Sequence, residues 1–285
     1  MRFSAVDVFV QFVGFPRSGH SLIGSILDAH RRAAISHELD AMGLIKKGFP
    51  EHVIYALIAR NTSVFSRNGR YWNSFSYEVP GQHNGRVQKP TCIGDKKGDW
   101  TVRWFRAEPR LIDITRRRIT APCKWILVTR HPLDNIATMS LRKGRTYDKL
   151  RIAAENSDVF RSKLVAYQEK GAITSAALDG MIDDYETLCE TIERMQAEIP
   201  SAEWTHVKYE RFVKHPVKEI TRICRFLDLE VKEDFLSACK DIVRSSPNNS
   251  RNALTWTDRQ IDRVSRFTHR FSFLQTYSDT DGISV

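Results

Sequence analysis

Residues 6–14 (VDVFVQFVG) are a short β-branched and aromatic run that stops at Gly14. Residues 22–30 (LIGSILDAH) then place Leu22, Ile23, Ile26 and Leu27 at helical spacing. Between the two lies Gly14-Phe15-Pro16-Arg17-Ser18-Gly19-His20-Ser21-Leu22, whose G-x-x-x-x-G-x-S spacing is that of a phosphate-binding loop. No other feature constrains the chain as much. Glycines let successive backbone N–H groups turn inward, and the start of the following helix adds partial positive charge. Alone, such a glycine pattern fits a turn that merely starts a helix; the strand–loop–helix setting favours a phosphate. Where nucleotide triphosphatases carry the lysine that reaches the β- and γ-phosphates, this chain has His20, which argues against ATP or GTP hydrolysis. A cation does occur earlier in the loop, at Arg17.

The same rhythm continues. Residues 33–36, 91–94, 125–129 (WILVT) and 204–208 read as further strands, with helices predicted over 132–142 and 216–227, each opening on a proline. Strands alternating with helices predict a three-layer α/β fold with a central, mainly parallel sheet. Two stretches break the pattern. Residues 46–90 mix Tyr71, Trp72, Phe75 and Tyr77 with turn residues and suggest a hairpin or irregular lobe, and residues 145–200 suggest two long helices, the second near 176–199. With no linker or repeat to force a cut, 1–285 reads as one domain.

Composition narrows the partners. Lys and Arg number 44 against 34 Asp and Glu, a formal charge of +10, which points to an anionic partner such as nucleic acid, a membrane or a phosphorylated small molecule. The apolar stretch over 6–15 is about half of what a membrane span needs and has no cleavage site. The five cysteines are scattered and never in a C-x-x-C pair. That fits reduced thiols rather than a disulfide framework or zinc site, and a cytoplasmic protein is expected.

The strand over 125–129 ends in Arg130, followed by His131-Pro132, where a hydrolytic phosphate-loop protein would often carry a magnesium-holding aspartate. Thr138 and Arg142 lie four apart on one face of the next helix. An arginine, a hydroxyl and a second arginine suit another phosphate, although Arg142 alone would equally fit a solvated helix face.

These residues resemble the sulfotransferase family, which transfers a sulfuryl group from 3′-phosphoadenosine 5′-phosphosulfate (PAPS). The run Pro16-Arg17-Ser18-Gly19-His20-Ser21-Leu22 with Asp28-Ala29-His30 is most similar to the branch of tyrosylprotein and many bacterial sulfotransferases. The resemblance covers about 6–40, 91–143 and 204–230, with a weaker echo in 250–277; it fails in 46–90 and 145–200, where the family varies with its acceptors. It implies the phosphate-loop nucleoside-triphosphate-hydrolase-like fold of sulfotransferases and PAPS as donor. The product is then 3′,5′-ADP, no metal is required, and the acceptor carries a hydroxyl. By the same resemblance the first loop grips the 5′-phosphosulfate, and Arg17 and Lys96 stabilise charge on the leaving phosphate. Glu38 matches the general base of the tyrosylprotein branch. Arg130, Thr138 and Arg142 match the contacts to the 3′-phosphate, Tyr209 a further donor contact, and Ser250-Arg251 the C-terminal donor loop. His20 stands where threonine is commoner, and Gly98 stands where the cytosolic branch has its histidine base.

Each assignment has a plainer alternative. Glu38 could pair with His37, His30 or an arginine. His37 is a weaker base candidate, Asp95 and Lys97 read as a solvated turn, Arg116-Arg117-Arg118 as an exposed helix end, and Trp256 as packing. Tyr71, Trp72, Phe75 and Tyr77 could line an acceptor pocket or fill a small core. The charge surplus could draw in an acidic acceptor. Two other functions compete: a phosphate-loop nucleotide kinase or ATPase, and a basic nucleic-acid-binding module, for which no helix-turn-helix, zinc-finger or RNP-type motif speaks.

Overall fold

The computed structural model describes residues 3–73, 75–144, 177–244 and 246–277, with 159, 162, 163 and 166. Strands β1 (Val8–Gly14), β2 (Ala33–Ser36), β5 (Cys92–Asp95), β6 (Cys123–Thr129) and β7 (Trp204–Lys208) form one sheet in the order β2-β5-β1-β6-β7. Every pairing in it is parallel. Two short strands, β3 (Tyr71–Trp72) and β4 (Phe75–Ser76), pair antiparallel as a separate hairpin.

All seven residues of β1 are buried, and the two-residue side-chain period splits them between two cores. Phe9 and Val13 pack with Trp125 and Leu127 of β6 on one face. There they meet α2 (Ala41–Lys46), α3 (Glu51–Arg67), α4 (Gly98–Ala107), α5 (Leu111–Arg118), α6 (Pro132–Lys143), α7 (Leu178–Glu198) and α11 (Asp258–Arg270). Val8, Val10 and Phe12 pack on the other face with Ile126 and Val128. That face is covered by α1 (His20–Asp28), α8 (Tyr209–Lys214), α9 (Pro216–Phe226) and α10 (Glu233–Asp241). Each fully buried Val, Ile, Leu or Phe side chain contributes about 1.5–3 kcal/mol relative to exposure, so two-sided coverage is what such a strand demands.

The expected α/β sandwich is therefore present, with strands within two residues of their predicted limits and α6 and α9 opening on Pro132 and Pro216. The stretch 46–90 differs from expectation. It contains the hairpin, but residues Glu51–Arg67 are a 17-residue helix. Its buried face (Ile54, Tyr55, Ile58, Ala59, Thr62) has helical spacing, while Asn61, Thr62, Ser63 and Val64 are weak helix formers that blur the signal. The first helix expected within 145–200 falls outside the described residues; the second is α7.

From the central strand β1 the chain passes to α1 on one face, and from its neighbour β6 it passes to α6 on the other. Connections that diverge in this way leave a crevice at the carboxyl ends of the strands, the usual ligand position in open α/β sheets.

Candidate active site

Each of the five parallel strands delivers one of the expected site residues just past its carboxyl end. Arg17 follows β1, Glu38 follows β2, Lys96 follows β5, Arg130 follows β6 and Tyr209 follows β7. All five line one cavity of about 460 Å³, together with Pro16, Gly19, His20, Ser21, Leu22, Thr138 and Arg142. Residues far apart in sequence thus meet because the sheet is parallel: every loop after a strand opens on the same edge.

The loop after β1 turns at Arg17, in the left-handed region (φ 69°), and at Gly19 (φ 108°) before α1 starts. A Cβ on Gly19 would collide with the ring of Tyr209, so the closeness of loop and β7 end requires glycine there. The first-turn amides of a helix have no partner within it, which leaves them for an anion. Asn135 of α6 fixes the loop from the side, donating to the Pro16 carbonyl at 2.7 Å. Ser18 is buried away from the cavity lining, its hydroxyl donating to the Phe15 carbonyl (2.9 Å) and lying 3.2 Å from His20 Nδ1.

His20 plugs the floor. Its Nε2 lies 3.2 Å from the Val13 carbonyl, and burial pushes its pKa down to about 4, so the ring is a neutral wall rather than a cation. The ring also occupies the space a side chain at Gly98 would need. Lys96, arriving from β5, brings a cation to the loop: its Nζ lies 2.9 Å from Ser21 Oγ.

Lys96 Nζ also lies 2.5 Å from Glu38 Oε1, so the partner of Glu38 is neither a histidine nor an arginine. Burial lowers the Lys96 pKa, and Glu38 pulls it back up. Glu38 is held at φ 61°, in a turn that Asp95 organises. The Asp95 carboxylate accepts from Ser36 Oγ (2.8 Å) and from the amides of Leu39 (3.2 Å), Asp40 (2.9 Å) and Ala41 (2.9 Å). Asp95 is therefore no solvated turn residue; it is fully buried, and burial raises its pKa against these hydrogen bonds. His37 stacks on Phe65 with ring centroids 4.1 Å apart and meets Trp72 edge-on at 4.9 Å. Its pKa falls to about 2, chiefly by burial, and its ring serves packing.

At the opposite end, Arg130 donates to Thr138 Oγ1 (3.1 Å), Ser250 Oγ (3.4 Å) and the Asn248 carbonyl. The hydroxyls of Thr138 and Ser250 lie 2.9 Å apart. Arg130 Nε is buried without a partner, an unfilled donor beside the cavity. Ser250 is buried behind Arg130 and does not line the cavity, and neither does Arg251. Arg251 pairs with Asp134 at 2.9 Å and lies 3.0 Å from His131 Nε2, tying its loop to α6.

Sequence reasoning missed Asn73, Ser76, Asp99, Ile242, Arg244 and Asn248, which also line the cavity. Of the four aromatics from the 46–90 stretch, Trp72, Phe75 and Tyr77 line it, while Tyr71 is 68% exposed. Asn73, oriented to satisfy both donors, accepts from Trp72 Nε1 (2.7 Å) and Arg17 Nη1 (3.0 Å). An Asn between two aromatic pairs is a hairpin-turn signal that could have been read; nothing near Arg244 marks it. Trp256 is half-buried against the core and donates to the Arg251 carbonyl, and Arg116, Arg117 and Arg118 form the exposed end of α5. All five cysteines are buried free thiols. Among the described residues, no three His, Cys, Asp or Glu side chains converge as metal ligands, and no helix is long and apolar enough to cross a membrane.

No curated protein matches this sequence. Solved structures with a similar chain course include a sulfotransferase from Alicyclobacillus acidocaldarius at 16% identity, covering 97% of both chains with a TM-score of 0.46. A mouse sulfotransferase complexed with PAP is 13% identical over 97% of this chain and 89% of that one, with a TM-score of 0.47. The sulfotransferase domain of a Synechococcus olefin synthase is also 13% identical, over 92% and 94%, at a TM-score of 0.47. The model of the sulfotransferase family matches residues 123–233, which hold Arg130, Thr138, Arg142 and Tyr209. The stretch similar to the sulfotransferase family thus runs from β6 to the start of α10.

Proposed function

We propose that the chain, 1–285, works as a single-domain sulfotransferase that moves a sulfuryl group from PAPS to a hydroxyl of its acceptor. The observation that carries the reading is the convergence of Arg17, Lys96, Arg130 and Arg142 on one cavity that also holds a carboxylate, Glu38. PAPS, when bound, supplies the sulfuryl group and leaves as 3′,5′-ADP. The residues fit such a donor: the loop amides and Arg17 suit a phosphosulfate, and the buried, unpartnered Nε of Arg130 suits a second anion. The hydroxyls of Thr138 and Ser250 accept from Arg130 and hold its guanidinium in place, and Tyr209 packs against the loop.

Glu38 takes the proton from the acceptor hydroxyl, with Lys96 fixing the orientation of its carboxylate. Arg17 and Lys96 face the charge that develops as the phosphate leaves; such preorganised cations are the strongest lever available here. The acceptor enters past Trp72 and Tyr77, outside the stretch that matches the family. Incubation with ³⁵S-labelled PAPS and a panel of phenols, sugars and tyrosine peptides tests the reading. Label should move to at least one hydroxyl acceptor; binding of ATP with Mg²⁺ and phosphate release, with no sulfuryl transfer, would replace it with the kinase or ATPase reading.

A further inference from the structure

Two-stranded hairpins are marginal on their own, yet β3–β4 forms a wall of the cavity. Its foundation is Arg70, the residue before β3, held in the left-handed region (φ 54°) and 1% exposed. Arg70 Nη1 lies 2.7 Å from Asp28 Oδ2 at the last turn of α1, and Asp28 is fully buried as well. The other Asp28 oxygen accepts from the Ile35 amide of β2 at 2.8 Å. Arg70 also donates through Nε to the Tyr77 carbonyl (3.3 Å), and the Tyr77 amide donates to the Arg70 carbonyl (3.1 Å), closing the base of the hairpin. Its guanidinium sits 4.8 Å above the Phe65 ring, which stacks on His37, which meets Trp72. At the far end of the hairpin, Asn73 reaches Arg17 and the Trp72 ring lies 5.9 Å from Lys96 Nζ.

We infer that the buried Asp28–Arg70 ion pair is a positioning element: it locks the β3–β4 hairpin to α1, and so places Trp72 and Asn73 beside Lys96 and Arg17. This rests on the reading of the cavity as the site of sulfuryl transfer. The pair joins the helix that starts at the phosphate loop to the wall that faces the acceptor, so both halves of the cavity share one frame. A buried ion pair is weak evidence for stability by itself, because desolvation offsets much of the attraction; fixing one geometry is what it does well.

Removing one partner would strand a buried charge, so the test uses the neutral double variant Asp28→Asn/Arg70→Gln, with Arg70→Lys as the conservative control. Acrylamide quenching of Trp72 fluorescence, isolated by subtracting Trp72→Phe in each background, reports where the hairpin sits. In the double variant Trp72 quenching should rise by about twofold or more, because the hairpin samples open positions. Affinity for 3′,5′-ADP should stay within about threefold, and Arg70→Lys should recover most of the quenching protection. Quenching equal to wild type, no recovery by Arg70→Lys, or a parallel collapse of 3′,5′-ADP affinity would overturn the inference. If wild type fails to bind 3′,5′-ADP, the functional reading falls, and the ligand-free quenching comparison still decides the positioning role.

Discussion

At the residue scale, Glu38 and Lys96 form the chemical centre of the proposed reaction. Their 2.5 Å contact gives Glu38 a partner, but not the histidine or arginine of its plainer alternative: the partner is itself a residue that the resemblance assigns to the leaving phosphate. Pairing and catalysis therefore describe one arrangement rather than two. Glu38→Gln keeps the shape and removes the base, so sulfuryl transfer should fall by about 10²–10⁴ while 3′,5′-ADP affinity stays nearly unchanged; paired turnover and calorimetry measurements check both halves. His20 makes a pH prediction. Its pKa is about 4 in the folded protein against 6.5 unfolded, so the unfolded chain takes up the proton first as pH falls. The stability tied to its neutral form is complete above 6.5 and drains between 6.5 and 4, about 3 kcal/mol in all. Chemical denaturation across that range should show wild type losing stability faster than His20→Asn; parallel slopes would contradict the assignment.

At the element scale, the strand–loop–helix opening was legible because its signals are local: a β-branched run, two glycines and helical periodicity all within residues 6–30. Glu38 and Lys96 were singled out only through resemblance, since each sits one to two residues beyond a short buried strand whose neighbours are set by long-range pairing. Asp95 was misread for that reason. Beside two lysines and a glycine it looks like a turn, and only the pairing of β5 with β2 shows it buried under the Glu38 loop. Gly98 gives the matching prediction. Since a Cβ there meets the His20 ring, Gly98→Ala should destabilise by about 1–3 kcal/mol, read as a lower Tm. Adding His20→Ala should recover part of the loss, because it vacates the contested space. Additive losses in the double variant would contradict the packing account.

For the whole molecule, the parallel sheet does the assembling. Its order β2-β5-β1-β6-β7 gathers five strand ends on one edge, and the basic residues on them account for a small part of the +10 balance. The hairpin and its aromatics could be read in residues 46–90, but their buried anchor, Asp28–Arg70, could not, because its partners lie 42 positions apart. The family match over 123–233 holds the Arg130 end of the cavity, while the phosphate loop and Glu38 lie outside it, so the decisive question is whether the two ends serve one ligand. Isothermal titration calorimetry of wild type and Arg130→Ala with 3′,5′-ADP and with 5′-ADP answers it. Wild type should bind 3′,5′-ADP at least about tenfold more tightly than 5′-ADP, and Arg130→Ala should erase that preference through loss of a charge-assisted contact. Equal affinity for the two nucleotides in wild type, or a preference that survives Arg130→Ala, would contradict the account.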